Sequence, residues 1–190
     1  KLAVLKAHVP YYESDHILNL IYNVATGGTR LEDLERLRQD EAYLDMLGAA
    51  RIPDPTTAGD FLRRLREEQI LEAMEVMNDM REKVWRERAS RDRRFAREAI
   101  LEIDGTIVET LGECKDGMDI SYKGIWGYAP LLITLANTRE VLYVINRPGN
   151  TRSCEDAATW INLAIGRVAK VFEKVIVRGD TDFSLTEHLD

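Results

Sequence analysis

The sequence predicts an α/β (α+β) protein in which an N-terminal helical region leads into a mixed β-sheet. Three observations carry this. Apolar residues recur at helical spacing as far as about Arg97, short β-branched runs begin at Ala99, and one helical stretch, Ser153 to Phe172, stands between two of those runs. A helix between two strands of one sheet makes a right-handed parallel crossover, so the strands on either side of it become neighbours.

The bulk numbers set the frame. The chain has 190 residues, 45% hydrophobic and 31% charged, enough for one ordinary domain or a modest domain with a smaller one attached. No apolar run approaches the roughly 20 residues that cross a bilayer, and no signal peptide opens the chain, so a cytoplasmic protein is expected. Cys114 and Cys154 lie far apart, and His8, His16 and His188 form no ligand cluster, which argues against a disulfide framework or a zinc site. A net charge of -7 argues against coating nucleic acid along the whole surface but leaves room for a local basic face. The chain starts at Lys1 without a methionine and stops at Asp190 just after a motif, so a piece of a longer protein is expected.

In order, Ser14 is placed to cap a helix carrying Ile17, Leu18, Ile21, Val24 and Ala25, ended by Gly27-Gly28. Thr29 opens a second helix, with Glu32 at the capping-box position and Leu31, Leu34 and Leu37 on one face. The pair has the outline of a helix-turn-helix, and equally of a helical hairpin that serves as scaffold. Gly48 to Pro55 reads as a turn because Pro53 and Pro55 forbid a helix, and Thr56 or Thr57 is placed to cap the helix after it. That helix is the longest in the chain, with Phe61, Leu65, Ile70, Met74, Met77, Val84 and Trp85 as its apolar stripe. Toward its end Arg81, Lys83, Arg86, Arg88, Arg91, Arg93, Arg94 and Arg97 outnumber the acids. They read either as a solvated face of intrahelical ion pairs or as a face that contacts DNA phosphates.

A domain boundary is placed near Arg97, giving a helical region 1–97 and a second region 98–190. The stretch Ala99–Thr110 is a buried strand broken by Asp104-Gly105-Thr106, which delivers one carboxylate to a surface. Gly112 to Gly127 reads as a loop, and Pro130–Ala136 with Val141–Ile145 as a hairpin. Asn146 to Thr151 stops the hairpin. Ser153 and Asp156 cap a helix with Ala157, Ile161, Ala164, Ile165, Val168 and Phe172 inward. Val175–Asp180 is a second strand ending in a glycine and an acid, and Ser184 starts another helical segment. Strand, hairpin, helix, strand matches the opening of a ribonuclease-H-like domain, in which the first and fourth strands lie side by side and Asp104 meets Asp180.

Two acids on neighbouring strands suit metal-dependent phosphate chemistry. Magnesium prefers hard oxygen ligands and takes one or two carboxylates, and a pair of ions about 4 Å apart can serve the attacking and leaving oxygens of a phosphodiester. Sharing cations also relieves the repulsion between the acids.

Glu102-Ile103-Asp104-Gly105-Thr106, Gly117–Gly124, Leu135–Leu142, Asn146-Arg147-Pro148-Gly149-Asn150 and Arg178–Phe183 together resemble DDE transposases of bacterial insertion sequences. The nearest resemblance is to the insertion-sequence family numbered thirteen-eighty. It extends to Gly27–Asp33 and Pro53–Thr57 in the N-terminal region. It implies a ribonuclease-H-like catalytic domain that hydrolyses a phosphodiester at the element's end and uses the freed hydroxyl to attack target DNA. The cofactor implied is Mg2+ or Mn2+, and the partners are double-stranded DNA and, in the complete protein, a second copy on paired ends. Asp104 and Asp180 become the first and second catalytic acids and metal ligands, with Asp182 the alternative to Asp180. The family's third acid, a glutamate on a late helix, has no counterpart, since Glu187 follows Asp180 too closely. The chain alone is therefore expected to have weak activity or none.

Tyr122, Lys123, Trp126 and Tyr128 fall in a segment that could touch DNA near the cleavage site, with Lys123 and Arg178 the leading contacts, and Arg91, Arg93 and Arg94 the leading contacts on the helix. Arg178-Gly179-Asp180 spells a cell-adhesion tripeptide by coincidence. Two other functions are set beside the transposase. Ile103–Val108 resembles the haloacid dehalogenase phosphatase motif, but that chemistry needs an aspartate nucleophile where Glu102 stands. A non-catalytic DNA-binding remnant would keep the basic face and both acids and never cut.

Overall fold

The computed structural model describes residues 4–5, 10–112 and 115–183. The helical segment expected from Ser184, together with Glu187, His8, His188 and Cys114, lies outside the described residues. The chain divides into two compact units, Lys1–Ala73 and Met74–Asp190. The change from helical to extended period falls later, at Glu98, because the first unit ends part-way along a helix.

The first unit holds α1 (Glu13–Ala25), α2 (Asp33–Leu37), α3 (Glu41–Leu47), α4 (Pro55–Arg64) and the beginning of α5 (Glu67–Arg91). Leu34, Leu37, Tyr43, Ile52 and Ala58 form its core. The inner face of α1 is not the apolar one. His16, Asn19 and Asn23 are buried, whereas Leu18, Ile21 and Val24 are 43%, 54% and 70% exposed. The reason is hydrogen bonding: Asn19 donates to the Pro53 carbonyl at 3.2 Å and Asn23 to the Arg30 carbonyl at 2.9 Å, so both act as tethers for neighbouring loops. His16 stacks on Phe61 with ring centroids 4.4 Å apart, and burial lowers its pKa.

Caps fall two or three residues from where the pattern placed them. Tyr12, not Ser14, precedes α1. The Asp33 carboxylate accepts from the Thr29 and Arg30 amides, and α2 is only five residues long. A further helix, α3, starts at Asp40, whose side chain accepts from the Tyr43 amide. Asp54 caps α4, accepting from both the amide and the hydroxyl of Thr57 at 2.9 Å, with Pro55 at the first helical position. The single long helix expected across this region is broken at Leu65, which is extended; Arg66 then donates its amide to Gln69 to start α5.

The second unit is built on a four-stranded sheet in the order β6-β5-β1-β7, formed by β1 (Glu98–Gly105), β5 (Leu131–Leu135), β6 (Glu140–Ile145) and β7 (Lys174–Arg178). β1 is antiparallel to β5 and parallel to β7, as the crossover through α6 (Ala157–Val168) requires. This is an α/β architecture, consistent with a ribonuclease-H-like domain. Ala99, Leu101 and Ile103 of β1 share the buried core with Leu131, Ile133, Leu135, Leu142 and the inner face of α6, which carries Ala157, Ile161, Ala164 and Val168. Alternation along β1 leaves Glu102 and Asp104 on the open face.

The part of α5 in this unit turns Met74, Asn78 and Trp85 inward, while Met77 and Val84 are exposed. Polar contacts select that face. Asn78 donates to the Leu142 carbonyl at 3.0 Å, Trp85 to Glu140 at 2.7 Å and Tyr143 to Glu75 at 2.6 Å, while Arg167 of α6 ion-pairs with Glu75, Asp79 and Glu82. The stretch 112–127 expected to be a loop instead contributes β3 (Asp119–Ile120) and the start of β4 (Trp126–Tyr128), which join β2 (Val108–Glu109), split from the strand expected over Ala99–Thr110, in a second sheet of order β2-β4-β3. Ser153 does not cap α6, which begins after Asp156 with no side-chain cap.

Candidate active site

Asp104 stands one residue before the end of β1, on the exposed face, opposite Leu132 of β5. On its other side β7 runs parallel in the register Glu102↔Arg178. Glu102↔Arg178 is the last pair of this ladder, so Asp104 and Asp180 each follow it by two residues, at the same end of the sheet. Arg178 lies 3.7 Å from Glu102 across the pair. Both acids are exposed.

Asp182 belongs to a short 3-10 turn, Thr181–Phe183, just beyond β7. Its amide donates to Asp180 at 3.0 Å, and its carboxylate accepts from the Ser153 hydroxyl at 3.4 Å. Asp180 and Asp182 line one side of a cleft of about 390 Å³, whose other lining includes Gly105, Thr106, Lys123, Arg147 and Ser153. Groups of both signs thus line a space the size of a nucleotide fragment. Lys123 sits with its ammonium 5.4 Å from the ring of the exposed Tyr122.

Sequence reasoning did not single out Arg147 or assign it a role. Its side chain is buried, with 8% of the residue exposed. Nε donates to the Ala129 carbonyl at 3.0 Å, and Nη1 reaches the carbonyls of Arg152, Ser153 and Glu155 at 3.3, 3.2 and 2.8 Å. Burial pulls its pKa down, and Glu155, Asp156 and Cys154 oppose that fall. Nη2 has no partner among the described residues. The Asn-Arg-Pro-Gly-Asn segment marks a turn, but no local signal in it shows that the arginine is buried.

Asp104, Asp180, Asp182, Lys123 and Arg178 are therefore at one end of the sheet. Arg91, Arg93 and Arg94 are not. They lie at the end of α5 and in the turn before β1, whose first residue, Glu98, is about 20 Å from Asp104 by strand rise. All three are exposed; Arg91 pairs with Glu87 at 2.5 Å and Arg94 with Asp92 at 3.1 Å. The Arg94 hydrogen bonds lower the Asp92 pKa, and Asp92 raises that of Arg94. Among the described residues, no three His, Cys, Asp or Glu side chains gather into a metal-holding group, and no helix is long and apolar enough to cross a membrane.

The sheet is mixed, with the parallel strands β1 and β7 adjacent, Asp104 near the end of β1 and Asp180 two residues beyond β7. Residues 6–190 match the family described as Transposase DDE domain group 1, and the chain belongs to that family. No curated protein and no solved structure matches it. Family membership makes the chain a transposase domain whose substrate class is DNA and whose chemistry draws on divalent metal ions.

Proposed function

We propose that this chain serves an insertion-sequence transposase of the family numbered thirteen-eighty, cutting a phosphodiester at the element's end and joining the freed hydroxyl to target DNA. The observation that supports the reading is the parallel register of β1 and β7, whose last pair, Glu102↔Arg178, is followed two residues later on each chain segment by Asp104 and Asp180, 76 residues apart in sequence. Their donor set fits the implied ion: two exposed carboxylates on rigid neighbouring strands offer the hard oxygens that Mg2+ or Mn2+ prefers. Asp104 and Asp180 would hold it, with Asp182 the alternative to Asp180. Bound there, the ion supplies Lewis-acid stabilisation of the phosphodiester oxygens.

The protein's own groups do the remaining work. Lys123 on the cleft wall and Arg178 beside Glu102 hold DNA phosphates near the reacting bond, by charge rather than by reading bases. Arg91, Arg93 and Arg94 grip the duplex beyond the start of β1, through backbone phosphates. The helical region 1–97 contributes to binding element ends, region 98–190 carries the chemistry, and two copies act on paired ends in the cytoplasm. Glu102 lies beside Arg178, which argues further against the phosphatase reading of this strand.

The test is Asp104→Asn in the active transposase, assayed for Mg2+-dependent cleavage of a duplex carrying the element end and for binding of that duplex. Cleavage is expected to disappear while binding stays within a few-fold. Equal loss of both would make Asp104 structural. Binding without cleavage by the parent protein would favour the DNA-binding remnant.

A further inference from the structure

The loop between β6 and α6 touches both acid-bearing segments at once. On one side Ser153 abuts Gly105, the residue after Asp104. A Cβ added at Gly105 would stand 3.0 Å from the Ser153 hydroxyl and 3.4 Å from its Cβ, so a larger residue there would press on Ser153 and require it to give by a few tenths of an ångström. On the other side the same hydroxyl donates to Asp182, whose amide donates in turn to Asp180.

The loop itself is held by one buried cation. Arg147 binds three of its carbonyls, at 152, 153 and 155, and anchors them to Ala129 after β4. Its far end is pinned as well: Asn150 donates to Asp119 at 2.7 Å, and Gly149 lies so close to β3 that a Cβ would fall 2.3 Å from the Asp119 carbonyl. A carbonyl cluster satisfied by a guanidinium fork holds its shape better than one satisfied by water.

We propose that Arg147 and Ser153 are positioning residues that set the spacing of the two acids, Arg147 by locking the loop and Ser153 by standing between Gly105 and Asp182. This rests on the reading of Asp104 and Asp180 as metal ligands. Neither residue touches the ion; each acts through a ligand-bearing segment, as outer-shell partners do in metal sites.

The experiment titrates Mn2+ into the isotope-labelled 190-residue chain and follows paramagnetic broadening of the amide signals of Asp104, Gly105 and Asp180, with thermal unfolding measured without metal. Parent chain should show broadening confined to these segments, and Asp104→Asn should lose it. Ser153→Ala removes one exposed hydroxyl and is expected to weaken Mn2+ binding by about tenfold with the metal-free unfolding midpoint unchanged. Arg147→Lys keeps the charge but not the fork, and should weaken Mn2+ by at least as much. If Asp104→Asn abolishes broadening while both Ser153→Ala and Arg147→Lys bind like the parent, the bracket is overturned and the metal reading stands. If the parent shows no broadening there, or Asp104→Asn keeps it, the metal reading falls and the bracket with it. A weakening by Ser153→Ala that tracks an equal loss of metal-free stability would reduce Ser153 to a structural contact.

Discussion

Removing the arginines at the end of α5 one at a time gives a prediction with a slope as well as a size. Each phosphate contact on duplex DNA contributes about 0.9 to the slope of log affinity against log salt, which is roughly a 3.5-fold change in affinity between 50 and 200 mM salt. Arg93 has no carboxylate partner among the described residues, whereas Arg91 is paired with Glu87 and Arg94 with Asp92. Arg93→Ala should therefore flatten the slope by about 0.9 and cost the most affinity. Arg91→Ala and Arg94→Ala should cost less, since each arginine must first leave its own acid. The converse holds for the acids: Asp92→Asn frees Arg94 and should tighten binding by a few-fold at low salt, with the gain fading as salt rises. The assay is fluorescence anisotropy with an element-end duplex across a salt series. A triple Arg91/Arg93/Arg94→Ala variant with an unchanged slope would refute the reasoning and return these residues to a solvated helix end.

Two further predictions concern the packing that supports the site. Arg167 joins α6 to α5 through Glu75, Asp79 and Glu82, so Arg167→Met, which keeps the stem, should destabilise the chain by about 2–3 kcal/mol. That corresponds to roughly 5–10 °C in the unfolding midpoint by calorimetry, and a shift under 1 °C would show the three acids to be solvated without it. Burial and the bond to Glu75 push the Tyr143 pKa up from 10.0 to about 12. A raised folded-state pKa stabilises fully below the unfolded value, so that contribution should be present below pH 10 and be lost as pH rises toward 12. Urea midpoints of the parent should fall more steeply over that window than those of Tyr143→Phe; parallel curves would refute it.

The pairing of β1 with β7 was legible before the structure because both strands announce themselves alike, with β-branched runs ending in glycine and aspartate, and because a single helix between them dictates parallel pairing. Helix faces were less legible. In α1 and α5 the inward side is chosen by Asn19, Asn23, Asn78 and Glu75, whose value lies in backbone carbonyls and aromatic or cationic side chains far away in sequence. A periodicity argument counts such residues as polar and turns the helix around. The small sheet was read as a loop because strands of two or three residues carry no period. Arg147 was visible as a letter but not as a clamp, since nothing local tells a buried arginine from a solvated one.

The contacts that fix α5 also bear on solubility. An outer strand with free amides and carbonyls invites another chain to pair with it, and β6 would be such a strand. Here Met74 sulfur accepts the Val144 amide and Asn78 takes the Leu142 carbonyl, so a helix blunts that edge with side chains where a strand would add backbone. Among the described residues the sheet is left able to recruit a strand only along β7, beside the second acid. One edge is guarded against aggregation, and the other stays open at the strand that leads to Asp180.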